Sequence, residues 1–450
     1  MKKRLLAWPG LLLCLLLPLM AACGNNFPQQ SNNASTHQAE TTVNNELYVL
    51  DSYTGFGQSA GTRHIVALPV GTANSTARLT LPAGLTDLKH QWLYFASPAS
   101  DGSANTTISV LDTLSGASIR TFSIAGHYTT ADQGLADSML SGNGQWLALR
   151  EQNAPAGTTE IALIDTLAGK QVKSIQLKGN FALDALSPAG TMLYLLEYYE
   201  ARTTHYNVRA YNVPNNFLYT GNIVDKNDLN EQMNGNYLTR WMSAGGNMAY
   251  TLYINPVLNK AFIHILFLAE ASNQTFPLLA RCIDLPVGQS PALLKYYTLS
   301  LAQDGNTLYA ANAALGSVAA VNLNLGLNVG QLWLILNAKT AHFTPDTGAA
   351  SGTDQTRALY HGSVLSRDQQ LLYVAGIHGI QIINVASLQL QGEYLKPQSF
   401  TGLAISGDGH TLYAVDPTSG ITLLNTANGQ VNGTIRSSIQ APWGIAWTTF

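Results

Sequence analysis

One short phrase recurs eight times along this chain: a Gly-rich turn followed by an apolar strand that contains a Leu-Tyr-like pair. The mean spacing between copies is about 52 residues, in the range typical of propeller repeats. Two regular copies read LAQDGNTLYAA over Leu301–Ala311 and ISGDGHTLYAV over Ile405–Val415. A period of this length, made of short strands and turns, is typical of a β-propeller, in which each repeat is one blade of four antiparallel strands. We therefore expect an all-β fold of eight blades.

The regular copies divide into strands in the same way. In the third copy the pattern predicts strands over Trp146–Arg150, Glu160–Asp165 and Gln171–Leu177, with a turn through Leu167–Gly169. These strands are apolar on both faces, which suits sheets that are stacked between neighbouring sheets.

Acidic or amide side chains precede the glycine of the equivalent turn in three copies, at Asp112, Asp165 and Asn425. Such side chains accept hydrogen bonds from nearby backbone amides, while glycine tolerates a positive φ. We therefore assign these residues to turns and not to a metal site.

The two ends of the repeat region complement each other. The first copy opens on the strand that contains Leu47, with no innermost strand before it, whereas the chain ends on an innermost-type strand over Trp443–Trp447. Pairing of these strands would close the ring and leave no open sheet edge. If the degenerate copy over Leu238–Pro286 were an irregular insertion, the ring would have seven blades instead of eight.

The first 22 residues have the features of a signal peptide. A basic start, Lys2 to Arg4, precedes the apolar stretch Leu5–Met20, which is shorter than the roughly 20 uninterrupted apolar residues that span a bilayer. The sequence Met20-Ala21-Ala22-Cys23-Gly24 resembles the lipobox of bacterial lipoproteins, which implies cleavage before Cys23 and lipidation of Cys23. An ordinary secretory signal cut after Ala22 is the alternative. Residues 23–45 are polar and aperiodic, so we expect a flexible tether, followed by the propeller domain over residues 46–450.

The repeats resemble the YVTN-type β-propeller repeats of bacterial proteins, including the YncE-like group and, more distantly, the lactonase-type propellers. The resemblance rests on Thr106–Phe122 and Ser406–Val431. It implies the propeller fold over about Leu47–Trp447 and carries no ligand with it. Together with the lipobox it implies a protein attached to the cell membrane through its N-terminal lipid, at the extracytoplasmic face.

Composition and motifs limit the possible functions. Charged residues make up 11% of the chain and the net charge is −3, so we expect no nucleic-acid partner. The sequence contains no P-loop, no dinucleotide-binding glycine motif, no HExxH and no paired CxxC. Five histidines in different copies, His64, His205, His264, His361 and His378, lack metal-ligand spacing. We therefore predict no catalytic residue, no metal and no cofactor.

A binding or interaction platform is the leading hypothesis. Trp241, His361 and Trp443 are the candidate ligand-binding residues at the mouth of the axial channel, where a peptide, a glycan, another small molecule or an envelope protein would bind. A lactonase-like hydrolase is one alternative, and it requires carboxylate, His and Arg side chains that converge at one mouth of the channel. A structural module of an envelope complex is another, and it predicts a broad apolar patch on the surface.

Three connections are longer than the repeat requires, namely Ser52–Arg63, Tyr198–Asn207 and Asn337–Ala358. Functional loops of propellers occur in such places. Asn337–Ala358 is either a binding lid or a disordered insertion. We interpret the acidic segment Asp225–Glu231 as an ordinary loop, although its carboxylate and amide oxygens are of the kind that bind calcium. Cys282 lies in an expected strand and is predicted to be a buried structural cysteine.

Overall fold

The computed structural model describes residues 45–51, 64–70, 75–99, 101–130, 137–199, 205–223, 233–271, 280–323, 338–346, 359–436 and 439–450. Residues 1–44, which contain the predicted signal peptide, Cys23 and all but the last residue of the tether, lie outside the described residues, as do Ser52–Arg63 and Asp225–Glu231. In the described part of the chain, no helix is both long enough and apolar enough to cross a membrane.

Eight antiparallel sheets make up the fold, each with a path of four strands, and each sheet is one blade. Blade 1 contains β1 (Glu46–Asp51), β2 (His64–Pro69) and β3 (Leu79–Pro82). Blade 2 contains β4 (Leu85–Thr86), β5 (Trp92–Pro98), β6 (Asn105–Asp112) and β7 (Ser118–Ala125). Blade 3 contains β8 (Ser138–Leu140), β9 (Trp146–Arg150), β10 (Thr158–Asp165) and β11 (Lys170–Lys178). Blade 4 contains β12 (Asn180–Leu186), β13 (Met192–Tyr198), β14 (His205–Asn212) and β15 (Phe217–Leu218), with the short β16 (Met233–Asn234) also paired to β14.

The second half of the ring repeats this arrangement. Blade 5 contains β17 (Asn236–Met242), β18 (Met248–Asn255), β19 (Lys260–Phe267) and β20 (Ala280–Asp284). A 3₁₀ helix over Pro291–Tyr296 leads into blade 6, which contains β21 (Thr298–Leu301), β22 (Thr307–Asn312), β23 (Ser317–Asn322) and β24 (Ala338–His342). Blade 7 contains β25 (Ser363–Leu365), β26 (Leu371–Gly376), β27 (Gly379–Asn384) and β28 (Gln389–Tyr394). Blade 8 contains β29 (Gly402–Ile405), β30 (Thr411–Asp416), β31 (Gly420–Asn425) and β32 (Val431–Ile435), and the last strand, β33 (Gly444–Thr448), belongs to blade 1.

The hydrophobic core lies between the blades. Strand β10 shows why a central strand of a blade is apolar on both faces. Ile161 and Leu163 pack with the side chains of blade 4, whereas Ala162 and Ile164 pack with those of blade 2. Successive side chains of a strand point to opposite faces, so each central strand is covered on both sides. Burial of a large aliphatic side chain contributes about 1.5–3 kcal/mol, so these interfaces dominate the stability of the ring.

The C-terminal strand closes the ring as predicted. β33 pairs antiparallel with β1, with Trp447 opposite Tyr48 and Gly444 opposite Leu50. The backbone N–H of Trp443 extends the pairing and donates to the Leu50 carbonyl at 2.9 Å. The first blade is thus completed by the end of the chain.

The degenerate copy over Leu238–Pro286 is a complete blade, so the seven-blade alternative is wrong. Its second strand, β18, is buried along almost its whole length, although Ala249 replaces the usual leucine. β18 is thus buried although it lacks the repeat motif, because a strand between two neighbouring blades needs apolar volume and not one particular sequence.

The expectation that Asn337–Ala358 is one irregular connection is also wrong. Residues 338–342 of this segment form β24, the outermost strand of blade 6, with Ala341 opposite Val318. Most residues of β24 are exposed, as is usual for an outer edge strand. The strand therefore lacks the alternation of apolar residues by which a strand is recognised in a sequence. Residues 347–358 lie outside the described part of the chain.

The acidic and amide side chains before the turn glycines have the predicted role. Asp112 Oδ1 accepts from the Ser115 amide at 2.7 Å, and Asn425 Oδ1 accepts from the Ala427 amide at 2.8 Å. The threonine that follows each of them has a different role, since the Thr166 hydroxyl donates to the Gly144 carbonyl at 2.7 Å. Each such threonine therefore joins the turn after the third strand of a blade to the turn between its first and second strands.

The prediction for Cys282 holds only in part. The residue lies on β20, forms no disulfide and is partly buried, and its Sγ is 3.8 Å from Met233 Sδ.

Candidate functional site

One strand of each blade faces the axis of the propeller. These innermost strands are β33, β4, β8, β12, β17, β21, β25 and β29, and most neighbours in this order lie side by side. Seven of them are followed by a tight turn into the second strand of their blade, and β33 pairs antiparallel with β1, the second strand of blade 1. All eight therefore run in the same direction. We call the space that they enclose the axial channel. Its turn end is the end at which the innermost strands lead into the second strands of their blades, and its connection end is the opposite end, where the chain arrives from the preceding blade.

The three predicted ligand-binding residues lie in one aromatic cluster of this channel. The rings of Trp241 and His361 are 5.3 Å apart between centroids, and their planes are inclined by 38°. Trp443 joins the cluster through Tyr360, which lies 4.5 Å from His361 and 5.1 Å from Trp443. Sequence reasoning missed Tyr360, although its place beside His361 and just before an innermost strand was a usable signal.

Two glycines on innermost strands make room for Tyr360. A Cβ added at Gly444 would lie 2.8 Å from Tyr360 Cβ, and one added at Gly402 would lie 3.0 Å from the Tyr360 carbonyl oxygen. The Tyr360 amide donates to the Thr401 carbonyl at 2.9 Å, so the connection from blade 6 to blade 7 is fixed against blade 8. Glycine at these positions lets the backbone and the tyrosine ring approach closely.

His361 is a neutral hydrogen-bonding group. Its Nδ1 is 2.9 Å from the Ile445 carbonyl, which only accepts, so Nδ1 carries the proton. Burial lowers the pKa of His361 to about 4; the Ile445 hydrogen bond opposes this shift, and His90 adds to it. The ring is therefore uncharged at neutral pH and Nε2 is an acceptor.

A second aromatic group stands beside the first. The ring of His90 stacks on the indole of Trp447 at 5.2 Å with an interplanar angle of 6°. The Nδ1 of His90 lies 2.9 Å from Thr86 Oγ1, and burial lowers the pKa of His90. His90 is in the short turn between β4 and β5, where nothing in the sequence distinguished it from other turn residues.

A buried ion pair occupies the inner edge of blades 4 and 5. Arg240, on β17, contacts both Oδ1 and the backbone carbonyl of Asp184, on β12, and its Nε donates to Thr251 Oγ1 at 2.8 Å. Asp184 is fully buried and the Arg240 side chain is 8% exposed. Burial lowers the pKa of Arg240, but the charge and the hydrogen bond of Asp184 together with Tyr253 and Tyr237 outweigh this effect, so the pKa lies above its usual value. Asp184 falls at an irregularity of β12 between Leu183 and Ala185, which sequence patterns do not reveal.

Four tyrosines surround this ion pair: Tyr198, Tyr206, Tyr237 and Tyr253. Burial raises the pKa of all four phenols, and the negative charge of Asp184 contributes in the same direction. The phenols therefore remain neutral hydrogen-bonding groups, and the pair of Asp184 and Arg240 carries no net charge.

Several buried polar atoms on the innermost strands have no hydrogen-bond partner, among them Asp184 Oδ2 on β12, Trp241 Nε1 on β17 and Trp447 Nε1 on β33. A buried donor or acceptor that is left unpaired costs about 1–3 kcal/mol. Native proteins retain few such atoms, and those they retain call for an explanation. A bound polar molecule could form hydrogen bonds with these atoms, since Asp184 Oδ2 is an acceptor and the two indole N–H groups are donors.

The turn end of the channel is narrow. The Leu88 amide donates to the Gly142 carbonyl at 3.0 Å, which joins the inner turns of blades 2 and 3. A Cβ added at Gly142 would lie 2.7 Å from Leu88 Cδ1 and 2.9 Å from the Cα of Gly246, a residue of blade 5. Turns of three blades thus meet at the turn end.

The described part of the long connection after β24 folds onto blade 7. Asp346 is buried and accepts from the His378 amide at 2.7 Å through Oδ2. This contact ties the described end of the segment, at Asp346, to blade 7. Within the described residues, no group of three or more His, Cys, Asp or Glu side chains is arranged to hold a metal ion.

Comparison with known proteins yields structural similarity alone. No protein-family model matches the sequence, and no curated protein sequence matches it. The dihydro-heme d1 dehydrogenase NirN is 12% identical, with a TM-score of 0.49, over 89% of this chain and 75% of that one. AztD from Citrobacter koseri is 9% identical, with a TM-score of 0.46, over 89% of this chain and 97% of that one. The periplasmic gluconolactonase PpgL of Pseudomonas aeruginosa is 16% identical, with a TM-score of 0.38, over 78% of this chain and 97% of that one. Similarity at this level gives no information about a ligand or a reaction.

Proposed function

We propose that this protein is an extracytoplasmic binding protein, held at the membrane by a lipid on Cys23, which takes its ligand into the axial channel. The observation that carries the proposal is the set of unpaired polar atoms, Asp184 Oδ2, Trp241 Nε1 and Trp447 Nε1, beside aromatic rings. A ligand site combines apolar and aromatic walls with a few convergent polar groups. Aromatic rings and unpaired polar atoms on the innermost strands support a site of this kind.

A binding role fits this arrangement better than hydrolysis. The carboxylate of Asp184 is held by Arg240, whereas His361 uses its Nδ1 on a backbone carbonyl. A general base must be within hydrogen-bond reach of the proton that it removes, and a histidine that serves it is oriented by a carboxylate. Asp184 and His361 thus form separate contacts and do not form a carboxylate–histidine pair with each other.

A structural module is favoured less than a binding protein. The most exposed large apolar side chain described is Val257, 92% exposed, in the turn between β18 and β19. Other exposed apolar residues, such as Leu114 and Leu167, stand at the tips of outer turns on different blades. Single apolar residues at turn tips are normal on a protein surface and do not by themselves form a docking face.

The binding proposal is tested by thermal-shift screening and by tryptophan fluorescence. We expect at least one class among sugars, amino acids and short peptides to raise the melting temperature and to change the emission. Replacement of Trp241 by Ala should abolish both responses, whereas Trp92→Phe on β5 should retain them. A folded protein that responds to no class, or a response unaffected by Trp241→Ala, would contradict the proposal.

The anchor is tested separately in cells. We expect the wild-type protein to incorporate labelled palmitate and to sediment with membranes, and Cys23→Ser to lose both properties. Lipid incorporation that persists in the Cys23→Ser variant would contradict the assignment of this residue.

A further inference from the structure

We infer that the axial channel binds an uncharged saccharide. The inference rests on the proposed binding function and specifies its ligand class. It follows from three properties of the described channel residues: their charges cancel, their unpaired atoms include both donors and an acceptor, and flat aromatic rings lie beside those atoms.

The balance of charges on the innermost strands disfavours an ionic ligand. Asp184 and Arg240 neutralise each other, and Arg150 is paired with Asp137 near the same inner edge. On the eight innermost strands, Asp184 and Arg240 are the only charged side chains, so a charged ligand group that reached these strands would meet no unpaired opposite charge there. Such a transfer out of water is strongly unfavourable. A neutral ligand avoids this cost.

The unpaired atoms require a ligand that both donates and accepts hydrogen bonds. Trp241 Nε1 and Trp447 Nε1 only donate, whereas Asp184 Oδ2 only accepts. Because His361 donates through Nδ1, its Nε2 is a further acceptor. A hydroxyl group is donor and acceptor at once, so several hydroxyls on one molecule match a mixed set of this kind.

The aromatic rings select a cyclic ligand. Trp241 and His361 present inclined rings 5.3 Å apart between centroids, and Trp241 keeps part of its surface accessible. The face of an aromatic ring is electronegative, and the C–H-bearing face of a sugar ring is complementary to it. An open-chain polyol has the hydroxyls of a sugar but not this rigid face.

The ligand class is tested by titration calorimetry on the full chain with matched probes. Glucose, N-acetylglucosamine and maltose are the neutral sugars, glucuronate and glucosamine are charged counterparts, and glucitol is the open-chain control. We expect at least one neutral sugar to bind at least tenfold more tightly than glucuronate, glucosamine and glucitol. Glutamate and a tripeptide serve as ligands of other classes.

Two conservative variants locate the contacts. Trp241→Phe and Trp447→Phe keep an aromatic ring and remove the indole N–H, and each should weaken binding of the sugar five- to tenfold. Trp92→Phe is the matched control and should leave the affinity unchanged. Asp184→Asn should weaken binding as well, and its folding is checked by circular dichroism because Arg240 would lose its counter-charge.

The outcomes separate this inference from the proposed function. Tighter binding of a charged probe or of a peptide, if lost in Trp241→Ala, would overturn the saccharide inference and leave the axial binding site in place. Sugar binding that is unchanged in both phenylalanine variants would overturn the inference too. Failure of every probe to bind would overturn the inference together with the proposed function.

Discussion

The ring of Tyr48 stacks on the indole of Trp447 with their centroids 4.4 Å apart and their planes inclined by 18°. These residues lie opposite each other on the first and last strands, so the contact joins the beginning of the propeller to its end. The Tyr48 hydroxyl is also 3.0 Å from the Thr113 carbonyl of blade 2. Closure of the ring and attachment of the next blade therefore depend on the same side chain.

Loss of the Trp447 indole should weaken this closure. Trp447 is 7% exposed, and removal of a buried large aromatic side chain costs about 3–5 kcal/mol. We expect Trp447→Ala to lower the free energy of unfolding, measured by urea denaturation, by about this amount. Trp447→Phe keeps a stacking ring and should lose less than half as much. Equal stability of the wild-type protein and Trp447→Ala would contradict closure through this contact.

The ion pair of Asp184 and Arg240 should be sensitive to loss of one partner. Arg240→Met leaves a fully buried carboxylate without its counter-charge, a change that costs about 3–5 kcal/mol. The exposed pair of Lys396 and Glu393 is the control, since Lys396→Met should change stability by no more than about 1 kcal/mol. A second substitution, Asp184→Leu, should restore part of the stability of Arg240→Met. If the double variant were less stable than Arg240→Met, the buried charge would not be the cause.

Acidification should destabilise the fold through His361. Its pKa is about 4 in the folded protein and about 6.5 when unfolded, so between these values the unfolded chain binds more protons. Stability is therefore complete above pH 6.5 and falls as the pH decreases towards 4, by at most about 3 kcal/mol.

The pH effect is measured by comparing urea unfolding at pH 7 and pH 4.5. His361→Asn removes the titration, and asparagine tolerates the positive φ of 49° at this position. We expect the variant to lose less stability than the wild-type protein on acidification, and the exposed control His410→Asn to behave as wild type. Identical pH dependence of the wild-type protein and His361→Asn would rule out this group as the source.

The glycine that admits Tyr360 should not tolerate a side chain. A Cβ at position 444 would lie 2.8 Å from Tyr360 Cβ and 2.9 Å from Tyr360 Cδ1, so the ring would have to move. We expect Gly444→Ala to lower the melting temperature by several degrees and to weaken ligand binding, since overpacking costs about 1–3 kcal/mol. Gly221→Ala, whose added Cβ meets nothing within 4 Å, is the control. A fully stable Gly444→Ala variant that binds normally would show that Tyr360 is not held as described.

The sequence predicted the scaffold better than the site, for a physical reason. The strand Trp146–Arg150 and the pairing of the last strand with the first followed from local signals, because turn chemistry and apolar alternation repeat in every blade. The sequence predicts Trp241, His361 and Trp443 at the mouth of the axial channel, and the structure places these three residues in one cluster.

Other parts of the site depend on contacts that the sequence does not encode locally. Asp184 and Arg240 are 56 residues apart and meet because two blades stand side by side. His90 reaches Trp447 from the other end of the chain only after the ring has closed. A side chain that acquires its role through closure of the ring carries no local pattern that identifies it.

A crystal structure of the protein with the tightest-binding neutral sugar tests the axial binding site most directly. The prediction is an ordered sugar in the axial channel, with its ring against Trp241 and a hydroxyl within hydrogen-bond distance of Trp241 Nε1 or Asp184 Oδ2. An unoccupied channel at a saturating sugar concentration, or a sugar bound only on the outer surface of the blades, would contradict the account.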